Sequence, residues 1–346
     1  MRTLRVLLTL CMICVAVGAR AEKNDLALWR LGKLNINPDG TIALPGVTVD
    51  ADAETQFRSL ASELGVVLGP RFLMPADTLG YSGFQFSVDM AFTTVTTSQS
   101  SSPWRNVLER HGTLRADGTP DTTIPSVMNT VGIFARKGIW FPLPSFELGA
   151  GALYLLDSSM FALQVYGKLA IHEGFHRWPL PSAAIRGAAS RVMGSKEIDL
   201  TVASLDASLS YPFGIGGTVN LQPYAGYGLL WIIPRSQVLD ANPTCDVGVT
   251  SQDPTATCPD PRTPGATIAP GITELNANFV FRNQSAILRQ RMAFGFKLKF
   301  HVLALSADYT YFFAGSSSDS GGPGGASVKD MSQAQHQVNL SVALDF

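Results

Sequence analysis

Gln335-His-Gln-Val-Asn-Leu-Ser-Val-Ala-Leu-Asp-Phe346 ends the chain in unbroken alternation. Counting back from the end, Phe346, Leu344, Val342, Leu340 and Val338 are apolar. Asp345, Ala343, Ser341, Asn339 and Gln337 between them are polar or small. Successive side chains of a strand point to opposite faces, so this is a strand with one apolar and one wet face.

The same period of two recurs upstream from Gly80. Phe84, Phe86, Val88, Met90 and Phe92 alternate with Gln85, Ser87, Asp89 and Thr93. Further segments of this kind begin near Phe146, Phe161, Val219, Leu288 and Leu303, and about 124–137, 183–194 and 197–212 read less cleanly. In 197–212, Leu200 and Val202 sit on the polar face, which predicts a bulge or an excursion above the membrane there, and Pro223 predicts another bulge. These strands number about ten, or twelve if 272–283 forms its own.

Composition points the same way. Mean hydropathy is positive at +0.15, yet only 15% of residues are charged, low against the roughly 25% of soluble domains. No later run of 18 apolar residues offers a membrane helix. A closed barrel reconciles the two, because half of every strand faces lipid. The chain resembles bacterial outer-membrane β-barrels, with the terminal aromatic strand (Leu340, Val342, Leu344, Phe346) standing where that family carries its assembly signal. The resemblance implies an all-β, antiparallel up-and-down transmembrane barrel over 80–346, set in outer-membrane lipid of a Gram-negative bacterium by the barrel-assembly machinery.

Ahead of the barrel, Arg2 and Arg5 precede an apolar run from Val6 to Val17. Ala19-Arg20-Ala21 then predicts a signal peptide over 1–21, cleaved near Ala21. Residues 22–79 form an N-terminal segment expected on the periplasmic side. Within it Phe57, Leu60, Ala61, Leu64, Val67 and Leu68 recur at three and four, which predicts a short amphipathic helix over 52–68 ended by Gly69-Pro70. Packing against the barrel base is the expectation for this helix; plugging the lumen and lying on the membrane are its alternatives.

Outer-membrane barrels have short periplasmic turns and longer external loops. With the first strand running outward, the external connections fall at 98–123, 157–159, 194–197, 234–279 and 314–330. Cys245 and Cys258 lie in one of them. Two cysteines in an exported chain predict a loop-closing disulfide, worth about 3 kcal/mol by the chain-entropy model.

Chemistry-bearing groups are few. His172-Glu-Gly-Phe-His176 spells H-E-x-x-H, but that zinc chemistry needs a helix, and here strand periodicity runs up to it. His111 with Asp117 and Asp121 reads as exposed loop. The chain is therefore not expected to be an enzyme or to hold a metal or cofactor, and its net charge of -1 sets nucleic acid aside.

The inward charges are more informative. Arg289, Arg291, Lys297 and Lys299 share one strand face with Ala293 and Gly295 between the pairs. Asp308, Asp89, Lys168 and Tyr166 face inward from other strands. Such charges line a basic pore or pair into a structural network. The leading expectation is a small channel or transporter for polar, anionic or amphipathic solutes; the competitor is a barrel with a filled lumen that binds partners through its loops. Open space between Ala293 and Gly295 favours the first, and ion pairing from Arg291 across to Asp308 and Asp89 the second.

Overall fold

The computed structural model describes residues 22–346 apart from 40, 73, 99–101, 113–120, 141–144, 174–179, 217, 244, 246–256, 260–266, 269–275 and 322. Ten long antiparallel strands form the barrel: β1 (Phe84–Thr94), β2 (Val127–Ile139), β3 (Phe146–Leu155), β4 (Phe161–His172), β5 (Ser182–Met193), β6 (Ile198–Ser210), β7 (Val219–Ser236), β8 (Ile287–Phe300), β9 (Leu303–Phe312) and β10 (Gln335–Asp345). Each pairs with its neighbours in sequence, and β10 closes on β1 from Gln337↔Thr93 to Asp345↔Gln85. Because β7 pairs directly with β8, no place remains in the ladder for a strand from 272–283. The barrel has ten strands.

Closure uses the last residue of the chain. The Phe346 N–H donates to the Phe84 carbonyl at 2.8 Å, and the Phe84 N–H returns a bond to the Phe346 carbonyl at 3.0 Å. On β10, Val338, Leu340, Val342 and Leu344 point out and are exposed, whereas Gln337, Asn339, Ser341 and Asp345 are buried inside. Exposed apolar side chains circle the barrel in the same way, among them Val165, Leu205, Phe294 and Leu305. A continuous apolar outer belt needs an apolar solvent, which is the condition lipid supplies.

Both expected bulges are absent. β6 keeps one register with β5 and with β7, so Leu200 and Val202 point inward, in phase with Ser204 and Asp206. They read as out of phase because the lumen is apolar at that end. Pro223 stays in register with Phe296, and lies where β7 exchanges its pairing with β6 for the short strand Phe213–Ile215. The register shift among these segments is elsewhere, between Ala170 and His172.

What makes the lumen apolar is the helix α1 (Ala51–Val67). Its N-terminus is capped by Asp50, whose side chain accepts from the Ala53 N–H at 2.8 Å. Gly69 and Pro70 follow its end, and Pro70 has no N–H to continue the ladder. Phe57, Leu60, Ala61 and Leu64 are fully buried against Leu153, Leu155, Leu200, Val202, Leu230 and Ile232 of the wall.

The helix thus lies inside the barrel, at the long-loop end, and not beneath the opposite mouth. Residues before it sit at that same end: Asp25 accepts bonds from Ser158 Oγ and the Ser159 N–H, both at 2.7 Å. Residues 68–79 then descend the lumen to the short-turn end, where β1 begins. The N-terminal segment therefore threads the barrel that it precedes.

Candidate functional site in the barrel lumen

Three layers of contacts hold the threaded segment. In the first, α1 is buried on its polar side as well as on its apolar stripe. The Glu63 carboxylate accepts from the Thr96 N–H (3.1 Å), Thr96 Oγ1 (2.5 Å) and Trp104 Nε1 (2.6 Å). Arg58 donates to Gln284 Oε1 (3.3 Å), the Ser285 carbonyl (3.0 Å) and Ser317 Oγ (2.9 Å). Arg289 donates to Ser62 Oγ (2.8 Å) and Ser332 Oγ (2.7 Å). Three loops, those following β1, β7 and β9, thereby grip one helix.

The second layer surrounds an extended stretch. Among the described residues, 68–72 and 74–77 join no helix or strand, so their carbonyls need donors from outside. The wall supplies them. Ser190 Oγ donates to Leu68 O (3.1 Å), Gln164 Nε2 to Gly69 O (2.7 Å), Arg291 Nη1 to Pro70 O and Arg186 Nη1 to Arg71 O (2.6 Å). Lys168 Nζ donates to Asp77 O (2.7 Å) and Pro75 O (3.3 Å). Much of the basic lumen lining thus serves the backbone of this segment.

Charge pairing completes the layer. Arg291 meets Asp206 Oδ1 through Nη2 at 2.6 Å, and Arg186 meets Asp206 Oδ2 at 2.8 Å. Arg186, Asp206, Gly228 and Arg291 form one row across four strands. Gly228 lies between Asp206 and Arg291, and a Cβ there would sit 2.0 Å from Asp206 Oδ1. Phe72 is packed between the Arg186 and Arg291 guanidiniums, 5.7 and 5.8 Å from its ring centre, and stacks with Tyr224 at 6.4 Å.

The third layer faces the short-turn end. Glu147 takes Lys168 at 3.3 Å, the Tyr166 hydroxyl at 2.7 Å and the Leu79 N–H at 3.1 Å. Lys297 and Lys299 both pair with Asp345, at 3.0 and 3.1 Å. A cavity of about 410 Å³ opens beside them, lined also by Asp77, Glu173 and Gln222.

All the inward residues expected from sequence face inward, but not in the expected pairs. Arg291 turns to Asp206 and away from Asp308, which instead accepts from Asn339 Nδ2 (2.6 Å), Thr310 Oγ1 (3.1 Å) and the Tyr224 hydroxyl (3.4 Å). The space beside Ala293 and Gly295 is filled: Ala293 packs on Phe72 and Tyr224, and a Cβ on Gly295 would sit 2.6 Å from Tyr224 Cζ. Sequence reading missed Asp206, Arg186, Glu147 and Arg136 as wall partners, and Arg71 on the segment. Strand alternation put Asp206 and Glu147 on the polar face, Arg186 and Arg136 lie in segments that alternate less cleanly, and the pairing of all four required the register.

Outside the lumen, Cys245 and Cys258 are joined, with Cα atoms 5.4 Å apart. Glu173 accepts from Thr78 Oγ1 (2.5 Å) and Ser145 Oγ (2.7 Å), while His172 ends β4 and His176 lies outside the described residues. His111 Nε2 lies 3.1 Å from the Thr123 carbonyl, and Asp117 is outside the described residues. Glu197, between β5 and β6, accepts the Leu28 N–H. Burial, with Glu109 nearby, pushes its carboxyl up to about 7, against the opposing pull of the Leu28 and Trp29 N–H groups and Arg30.

No known protein family matches the chain, and no curated protein does. Solved structures do resemble it. The transport unit of the autotransporter AIDA-I from Escherichia coli aligns over 84% of this chain and 99% of its own, at 8% identity and a TM-score of 0.36. Neisserial surface protein A aligns over 76% and 97%, at 10% identity and 0.28. An outer membrane channel from Pseudomonas putida F1 aligns over 80% and 100%, at 9% identity and 0.31. The neighbours are bacterial outer-membrane β-barrels of varied roles, and the likeness concerns the fold alone.

Proposed function

We propose that this outer-membrane barrel is a closed anchor whose work is done at its external face, and not an open pore. The observation that carries the reading is the helix α1, buried on all sides from Phe57 to Val67 in the lumen, with 68–72 and 74–79 continuing below it. In outer-membrane barrels the long-loop end is external. On that basis residues 22–39 and 41–50 and the described parts of the loops that grip α1 form one surface outside the cell, available to a macromolecular partner. The outer apolar belt sits in membrane lipid, and β10 with Phe346 is what the assembly machinery recognises.

The basic lining, which the sequence leaves as either a pore lining or a structural network, supports this reading, since its guanidiniums are used on segment carbonyls and Asp206. The test is single-channel recording in planar bilayers. The mature chain should be silent, and a variant lacking residues 51–79 that still folds should conduct steadily. Steady conductance by the intact chain would overturn the proposal. Cysteine labelling at Asn35 on intact cells checks the exposure of the N-terminal segment.

A further inference from the structure

Between the threaded segment and the wall lies a cavity of about 10 Å³, lined by Arg71, Met74, Asp89, Arg136, Tyr166 and Arg186 among others. A volume near 10 to 15 Å³ holds about one water-sized species. Arg71 is only 4% exposed; its Nη2 donates to Thr130 Oγ1 at 2.7 Å, and its Nε and Nη1 have no acceptor among the described residues. Arg136 is 7% exposed, and its Nε has none either. Asp89 lines the same cavity, with its Oδ1 lacking a donor, yet no direct ion pair joins it to either guanidinium among the described residues.

The charge balance around this cavity is uneven. Among the described residues its lining holds three guanidiniums, Arg71, Arg136 and Arg186, and one carboxylate, Asp89. Asp206 is already shared by two guanidiniums. Arg71 comes from the segment and Arg136 from β2, and neither forms a direct ion pair among the described residues. Buried charges of like sign repel strongly unless a counter-charge intervenes.

We propose that a single halide ion, chloride under ordinary conditions, binds between Arg71 and Arg136 and fastens the threaded segment to the wall. The size of the cavity excludes phosphate, sulfate and carboxylates, and a halide, wider than a water, enters it by moving the lining side chains apart by a few tenths of an ångström. A bridging halide satisfies the unpartnered Arg71 and Arg136 donors from both sides. The site does not depend on what the external face binds.

The test uses the full mature chain, purified and folded. Crystals grown in sodium bromide should show an anomalous peak between the two guanidiniums. The unfolding midpoint should rise with chloride or bromide, saturating after about 2 °C or more, and should not rise with gluconate or sulfate at equal ionic strength. The Arg136→Gln variant should lose the halide response. If that variant fails to fold, the native-protein titration and diffraction still decide. A water at the position, or a midpoint indifferent to the choice of anion, would overturn the proposal.

Discussion

Arg291 closes on Asp206 through Nε at 3.0 Å and Nη2 at 2.6 Å, across a row in which Gly228 provides the room. The other Asp206 oxygen takes Arg186, so one carboxylate is shared by two guanidiniums that also hold the carbonyls of Pro70 and Arg71. Breaking a buried pair by removing one partner typically costs about 3–5 kcal/mol, because the remaining charge is stranded. Asp206→Ala strands two. We expect it to lower the unfolding midpoint by more than any single substitution on the outer belt, with Asp206→Asn intermediate. Heat-modifiable gel mobility in detergent measures this, and an Asp206→Ala barrel as stable as the parent would refute it.

Glu63 collects three donors from Thr96 and Trp104, and its loss leaves a buried backbone N–H and an indole N–H unsatisfied. Each such group costs about 1–3 kcal/mol. Glu63→Ala should therefore loosen α1 from the loop after β1 without altering the barrel ladder. The expected readout is faster hydrogen exchange along α1 with unchanged exchange in β1–β10. Glu63→Gln, which keeps two acceptor positions, should show a smaller effect.

Glu197 predicts a pH dependence whose sign is unusual for a carboxylate. Its folded value of about 7 lies above the ordinary glutamate value of 4.5, so the docked state binds the proton more tightly than the undocked one. The stabilisation is fully present below pH 4.5 and is lost as pH rises to 7, on the order of 2 kcal/mol at most for this partly exposed group. Glu109 shifts upward for the same reason and acts with the same sign. Proteolysis of residues 22–50 should quicken from pH 5 to 7 and then level off. Glu197→Gln should flatten that profile.

Phe346 links the end of the chain to Phe84 by a reciprocal pair of backbone bonds, with its ring exposed on the outer face. Phe346→Ser keeps the bonds and removes the aromatic side chain. If that ring is part of the assembly signal, the variant should reach the outer membrane in reduced amount while folding normally from urea into detergent. Normal assembly in cells would remove Phe346 from the signal.

Alternation made the barrel legible because a lipid-facing residue has no other role to serve. Val338 to Phe346 and Phe84 to Phe92 needed only the period of two. The lumen was less legible, since an inward residue answers to whatever fills the barrel. Leu200 and Val202 looked misplaced because the chain places a helix opposite them. Arg289 and Arg291 could be read as a pore lining or as a structural network, because their acceptors, Ser62 Oγ and the Pro70 carbonyl, come from a segment more than 200 residues away. The amphipathic stripe of α1 was read correctly from sequence. Its location was not, because a stripe says which face is buried and not against which wall.

Phe72 is the point where segment and wall fit most closely. Its ring lies between Arg186 and Arg291, stacks on Tyr224 and packs on Ala293, and a Cβ added to Gly226 would sit 2.0 Å from its Cζ. Phe72→Ala removes a buried ring, a change that typically costs about 3–5 kcal/mol. Gly226→Val instead pushes the ring out of its place from the wall side. Either change should weaken the hold on residues 68–79, and the two together should cost less than their sum, because they act on one contact. Recording in planar bilayers adds a functional readout: brief openings in either variant, against silence in the parent. Additive destabilisation with no openings would mean that Phe72 is not what seals the lumen at Ala293.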